Sequence, residues 1–138
     1  MAGQTADIDL ELDGEAIAKI RAIQPPGEPD LVTTLVEVFT RQSPGDLLAL
    51  EVAIGEHDAE TARRIVHTLK STSATLGATV LADLLASVEQ DIRQSGSVEG
   101  AAASLARLRR CHDAAVAAMA RLDDSCRNTD TSANAAAP

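Results

Sequence analysis

His67 is the residue of this sequence whose type and neighbours best fit a chemical role. The segment around it has the period of an amphipathic helix, with apolar or small positions at steps of three and four: Ala62, Ile65, Val66, Leu69, Ser73 and Leu76. At about 100° per residue, the centre of that stripe lies roughly 140° around the helix from His67. The imidazole is therefore predicted to face water.

The residues predicted to share the exposed face of His67 are cationic or small: Arg63, Arg64, Lys70, Ser71 and Ala74. Imidazole, with an ordinary pKa of about 6.5, is largely neutral at neutral pH and is then a nucleophile. Cations beside it would offset the charge of a phosphoryl group. An exposed imidazole among cations and hydroxyls is therefore predicted to be a site where an anion binds. Glu60, two turns away, is the one carboxylate expected near the ring.

The string His67-Thr68-Leu69-Lys70, followed by small residues and Leu76-Gly77-Ala78, resembles the active helix of the histidine-containing phosphotransfer domain family. The similarity covers about residues 10–124. In that family the lysine is usually followed by glycine, whereas this chain has Ser71, and the difference bears on the choice of partner.

The resemblance implies a phosphocarrier rather than an enzyme. It implies that His67 accepts the phosphoryl group and that Lys70 stabilises its charge. The residues implied to contact the partner are Arg63, Arg64, Ser71 and Ala74. His67 would relay a phosphoryl group between receiver domains of response regulators, or of a hybrid sensor kinase, in a two-component phosphorelay. It implies no ATP site and no cofactor in this chain, with Mg²⁺ held by the receiver domain of the partner.

The apolar pattern predicts an all-α fold, an antiparallel four-helix bundle of up-down-up-down topology with a short extra N-terminal helix. The short helix follows Asp13, and the next follows Asp30. Around Pro44 the pattern predicts either a kinked helix or two nearly collinear helices. The remaining helices are predicted over about 58–76, with Gly77 as the stop, over 79–94, and from there to about 124. We expect a loose acidic leader over 1–11, the bundle over 12–124 and a disordered tail over 125–138.

Composition narrows the classes of function. The 138 residues carry a net charge of −9 and show no broad basic face, so nucleic-acid binding is not expected. No run approaches the ~18 apolar residues of a membrane span, and the first residues lack the pattern of a signal peptide. Two cysteines, Cys111 and Cys126, fit a reducing compartment. We expect a cytoplasmic, soluble and monomeric protein.

Other interpretations stay open at this point. His57 is predicted to be an inert residue of a turn, and His112 a partly buried structural imidazole. The chain could be a bundle that binds and regulates a receiver domain or a sensor kinase without being phosphorylated. The dimerisation helix of a sensor kinase would carry an acidic residue directly after the histidine, whereas this chain has Thr68 there. A metal-binding bundle would need several inward carboxylates and histidines.

Overall fold

A computed structural model describes the backbone of residues 12–136 and the side chains of residues 12–122. This part of the chain contains helices and turns and no strand, which confirms the all-α class. The five helices, numbered in chain order, are α1 (Gly14–Ala22), α2 (Leu31–Gly55), α3 (Ala59–Thr75), α4 (Thr79–Ser95) and α5 (Glu99–Ala136).

Helices α2 to α5 form the four-helix bundle that the sequence predicts. Turns over 56–58, 76–78 and 96–98 join successive helices, each of which packs against the one before it, and α5 packs back against α2. The centre is aliphatic and fully buried, with Leu50, Leu85, Leu108 and Met119 as its largest members. The short α1 packs against α2 and α3 and adds Ile17 and Ile20 to this core. No helix in the described part of the chain is both long and apolar enough to cross a bilayer.

Helix α2 runs without interruption through Pro44, so of the two predicted alternatives the single helix is correct and the pair of collinear helices is wrong. Proline removes a backbone donor at this point, so the helix is locally weakened. The residue before it, Ser43, is 1% exposed, and its hydroxyl lies 2.6 Å from Nε2 of His112 on α5. The His112 ring also contacts Phe39, with centroids 5.9 Å apart. His112 is 5% exposed, which confirms its structural role.

Gly77 follows the end of α3, as predicted, and it also contacts the start of α1. Its φ is +79°, a left-handed conformation that favours glycine. Its carbonyl accepts a hydrogen bond of 2.8 Å from the backbone N–H of Asp13, the residue whose side chain caps α1. A Cβ at Gly77 would lie 2.8 Å from both the nitrogen and the oxygen of Asp13. Only glycine therefore allows the start of α1 to pack this closely.

Helix α5 extends to Ala136, beyond the end predicted near residue 124. The sequence holds no glycine or proline between Gly100 and Pro138, so no helix-breaking residue intervenes. Residues 1–11 and the side chains beyond 122 lie outside the described part of the chain. The division into leader, bundle and tail stays a prediction.

Candidate functional site

Helix α3 carries His67 on the face away from the core. The helix begins after Asp58, whose carboxylate accepts hydrogen bonds from the backbone N–H and the hydroxyl of Thr61, at 3.1 and 2.7 Å. These two bonds lower the pKa of Asp58. Val66 is 0% exposed, whereas the side chain of His67 is 53% exposed. The helical phase predicted from the sequence is therefore correct.

A buried carboxylate from the neighbouring helix contacts the ring. Oε2 of Glu89, on α4, lies 2.9 Å from Nδ1 of His67, and Oε1 accepts a hydrogen bond of 2.6 Å from Nζ of Lys70. The guanidinium of Arg93 lies 3.5 Å from Oε2. The Glu89 side chain is only 5% exposed. Three basic side chains thus surround one carboxylate that has almost no contact with water.

The pKa of Glu89 is held below its ordinary value. The hydrogen bond from Lys70 is the largest cause, and the hydrogen bond from His67 adds to it, against burial, which acts in the opposite direction. Glu89 is therefore an anion at neutral pH. An ionised carboxylate can only accept hydrogen bonds.

The charge of Glu89 decides the tautomer of His67. Because the carboxylate accepts, Nδ1 of the ring must donate, and in a neutral imidazole the other nitrogen, Nε2, then carries the lone pair. The ring is half exposed and is held at one edge by Glu89. The arrangement therefore leaves Nε2 as the nucleophilic atom of an oriented, accessible imidazole.

The expectation that Glu60 would be the carboxylate nearest to His67 is wrong. Glu60 forms an ion pair of 2.9 Å with Arg63 along the same helix, and its side chain is 68% exposed. Glu89 takes the place near the ring, and sequence reasoning missed it. The signal was present, since Glu89 lies beside the apolar positions Val88 and Ile92 of α4. A charged residue there must be buried, and a buried charge requires a partner.

The other predicted residues of the site lie on the exposed side of α3. Arg64, Ser71 and Ala74 are exposed, and Arg63 is partly buried and pairs with Glu60. Lys70 is partly exposed, and its ammonium contacts Glu89 on α4. The structure therefore brings Lys70 to His67 through Glu89, and it leaves Arg64, Ser71 and Ala74 available on the surface.

An apolar groove of about 290 Å³ lies between α2 and α3. Thr68, the residue after His67, and Ser71, one helical turn further on, line one side of it. Its other lining residues are Leu35, Val38, Phe39, Gln42, Ser43, Asp46, Leu69, Thr72, Thr75 and Leu76. Helix α2, which carries Phe39, therefore lies alongside α3, and the groove adjoins the residue that follows His67.

The other two histidines are poor candidates for the same chemistry. His57 is exposed in the turn between α2 and α3, with φ of +56°, and no carboxylate contacts its ring in the described part of the chain. His112 is buried against Ser43. Among residues with described side chains, no three histidine, cysteine or acidic residues are grouped so as to hold a metal ion.

Comparison with known proteins gives one match. A family model described as the Hpt domain matches residues 34–118, which is more than half of the chain and includes α3, α4 and most of α2. No match was found among curated proteins or among solved structures.

Proposed function

The chain belongs to the Hpt domain family, and from this premise we propose that it relays a phosphoryl group between receiver domains through phospho-His67. Membership implies a histidine phosphotransfer role in a phosphorelay and a phosphocarrier rather than a catalytic enzyme. The observation that carries the assignment to His67 is its 2.9 Å contact with the buried Glu89, which leaves Nε2 free on a half-exposed ring.

In the proposed reaction the Nε2 lone pair of His67 attacks the phosphorus of an aspartyl phosphate on a receiver domain. A P–N bond forms, the P–O bond to the aspartate breaks, and the aspartate leaves with the electron pair. Nδ1 keeps its proton, so the ring gains positive charge as the bond forms. Glu89 already accepts from that N–H and would stabilise the charge. Transfer to a second receiver domain reverses these steps.

Lys70 supports the reaction from the same carboxylate. Its ammonium lies 2.6 Å from Glu89 in the unphosphorylated protein and is 31% exposed, so it is both oriented and able to exchange partners. A lysine ammonium is a flexible point charge with three donors. We assign it to the oxygens of the phosphoryl group during transfer, where negative charge is redistributed.

The surface proposed for the receiver domain is centred on His67 and extends over Arg64, Ser71 and Ala74. The small side chains of Ser71 and Ala74 would let a partner helix approach the ring closely, and Arg64 adds a positive charge beside it. Arg63 borders this surface through its pair with Glu60. The Mg²⁺ that phosphoryl transfer requires is assigned to the partner. Monomeric state and cytoplasmic location stay predictions from the sequence.

The test is phosphoryl labelling of the full chain by a panel of phosphorylated receiver domains. Replacing His67 with glutamine should abolish labelling and leave the circular dichroism spectrum unchanged, because the ring is half exposed. The matched control is His57→Gln, which should be labelled normally. Label on His57 or His112 in the His67 variant would refute the assignment. A wild-type chain that binds receiver domains but takes no label would favour the non-phosphorylated regulator instead.

A further inference from the structure

The groove between α2 and α3 contains one charged residue. Asp46 of α2 lines it together with apolar side chains such as Leu35 and Leu69. On the other wall, Thr68 is the direct neighbour of His67 in the helix. Asp46 therefore lines a groove whose other wall includes the residue next to His67.

Asp46 has no partner among the residues that the structure describes. Its side chain is partly buried, and burial raises the pKa of its carboxyl. On the other wall, the hydroxyls of Thr72 and Thr75 donate to backbone carbonyls of α3 rather than to Asp46. Asp46 thus has lost part of its hydration without gaining a hydrogen bond.

This isolation contrasts with Glu89, the carboxylate on the other side of α3. Glu89 is more deeply buried and has three basic side chains around it. A carboxylate removed from water is unfavourable unless it is paired. The fold supplies the pairing for Glu89 and does not supply it for Asp46. The missing partner is a cation, and the groove places it beside the reactive helix.

We propose that Asp46 receives a lysine or arginine side chain of the docking receiver domain, while an adjacent apolar side chain of that domain fills the groove. Asp46 is then a specificity-determining residue, since a receiver domain without the cation would leave it buried and unpaired. The proposal rests on the proposed function, because it takes the occupant to be the domain that exchanges phosphate with His67.

The experiment measures the dissociation constant of the full chain for a receiver domain that labels His67. Asp46→Asn should weaken binding about tenfold, between the effect expected for an exposed pair and for a buried one. Asp46→Lys should weaken it further, and a receiver domain whose basic docking residue is replaced by glutamate should recover part of the loss. The matched control is Asp83→Asn, an exposed carboxylate on α4, which should bind as wild type does.

Three outcomes would overturn the inference. The first is unchanged affinity of Asp46→Asn for every receiver domain that labels the wild type. The second is a large fall in the thermal midpoint of Asp46→Asn, which would make Asp46 structural; removal of an unpaired carboxylate should leave the midpoint unchanged or raise it. The third is a wild-type dimer by light scattering that Asp46→Asn dissociates, which would place a second copy in the groove.

A chemical donor separates this inference from the proposed function. Phosphoramidate can label a reactive histidine without a receiver domain, so it reports on His67 alone. Asp46 variants should be labelled by phosphoramidate at the wild-type rate. If wild-type His67 takes label from neither phosphoramidate nor any receiver domain, the proposed function fails. If labelling is normal and only the Asp46 effect is missing, the inference alone fails.

Discussion

Replacing Glu89 with glutamine removes one negative charge and keeps the shape of the side chain. The carboxylate accepts from Lys70 at 2.6 Å and from His67 at 2.9 Å. A carboxamide has an accepting oxygen at one of these two positions and a donating nitrogen at the other, so it cannot reproduce both bonds in this geometry. If its oxygen meets Lys70, its NH₂ group meets Nδ1 of His67, and the ring must then carry its proton on Nε2. Glutamine therefore either blocks the nucleophilic nitrogen or repels the ammonium.

The expected cost in stability follows from the two hydrogen bonds. Each bond to a charged group contributes about 1.5–3 kcal/mol when buried. Lys70 and His67 are 31% and 53% exposed, so water screens both interactions, and glutamine keeps one acceptor. We expect a net loss of about 1–2 kcal/mol in the free energy of unfolding, or about 3–7 °C in Tm.

The difference between wild type and Glu89→Gln should depend on pH. The folded pKa of Glu89 is lowered, so the unfolded chain takes up the proton first as pH falls. The stabilisation is fully present above the unfolded value of about 4.3 and is lost as pH falls through the folded pKa. Glutamine does not titrate, so the gap in stability should be constant near neutral pH and should close below about pH 4.

The assay combines denaturant unfolding at several pH values with the ¹⁵N shifts of the His67 ring, which report the tautomer directly. In wild type the proton should be on Nδ1, and in Glu89→Gln the Nε2–H form should rise while phosphotransfer falls about tenfold or more. Glu60→Gln, which removes an exposed carboxylate from the same helix, is the control. An unchanged tautomer in Glu89→Gln, with an unchanged rate, would refute the role given to Glu89.

Two further predictions concern residues on either side of the site. Lys70→Ala should lower the single-turnover transfer rate at saturating receiver domain about tenfold, with Lys19→Ala, the only other lysine, as control; a change in affinity alone would make Lys70 a docking residue. Gly77→Ala should cost about 2–4 kcal/mol in unfolding free energy, because it combines left-handed strain with the 2.8 Å contacts to Asp13. Gly96→Ala carries the same strain with open space around it, so an equal cost for the two glycines would mean that α1 does not pack on Gly77.

The helices and the exposure of His67 could be predicted because both depend on local pattern. Apolar spacing alone sets the phase of α3, so Val66 is buried and His67 is exposed. Gly77 could be predicted as a stop because left-handed backbone favours glycine. The continued direction of the chain through Pro44 followed from the unbroken apolar period on both sides of it. Each of these properties is decided within a few residues of chain.

The carboxylate of the site could not be predicted in the same way, because it comes from another helix. Glu89 is 22 residues after His67, and the contact depends on the register of α4 against α3. Counting helical positions within α3 identifies only one nearby carboxylate, Glu60, and that residue pairs with Arg63 instead. The isolation of Asp46 is equally a property of the packed groove, since a sequence does not state which carboxylate lacks a partner.

On the two proposals above, Glu89 and Asp46 have separate roles on the two sides of α3. A histidine that exchanges a phosphoryl group with a partner needs an imidazole ring of fixed orientation. On the α4 side Glu89 supplies this, because its carboxylate is already paired with His67 and Lys70. Such a histidine also needs a surface that discriminates, and discrimination requires an interaction that is incomplete until the correct partner arrives. Asp46, on the α2 side, has that character. Substitution of Glu89 should therefore change the phosphotransfer rate and the tautomer of His67. Substitution of Asp46 should instead change the affinity for receiver domains and the choice among them. The double variant should show additive effects, because no described contact joins the two residues.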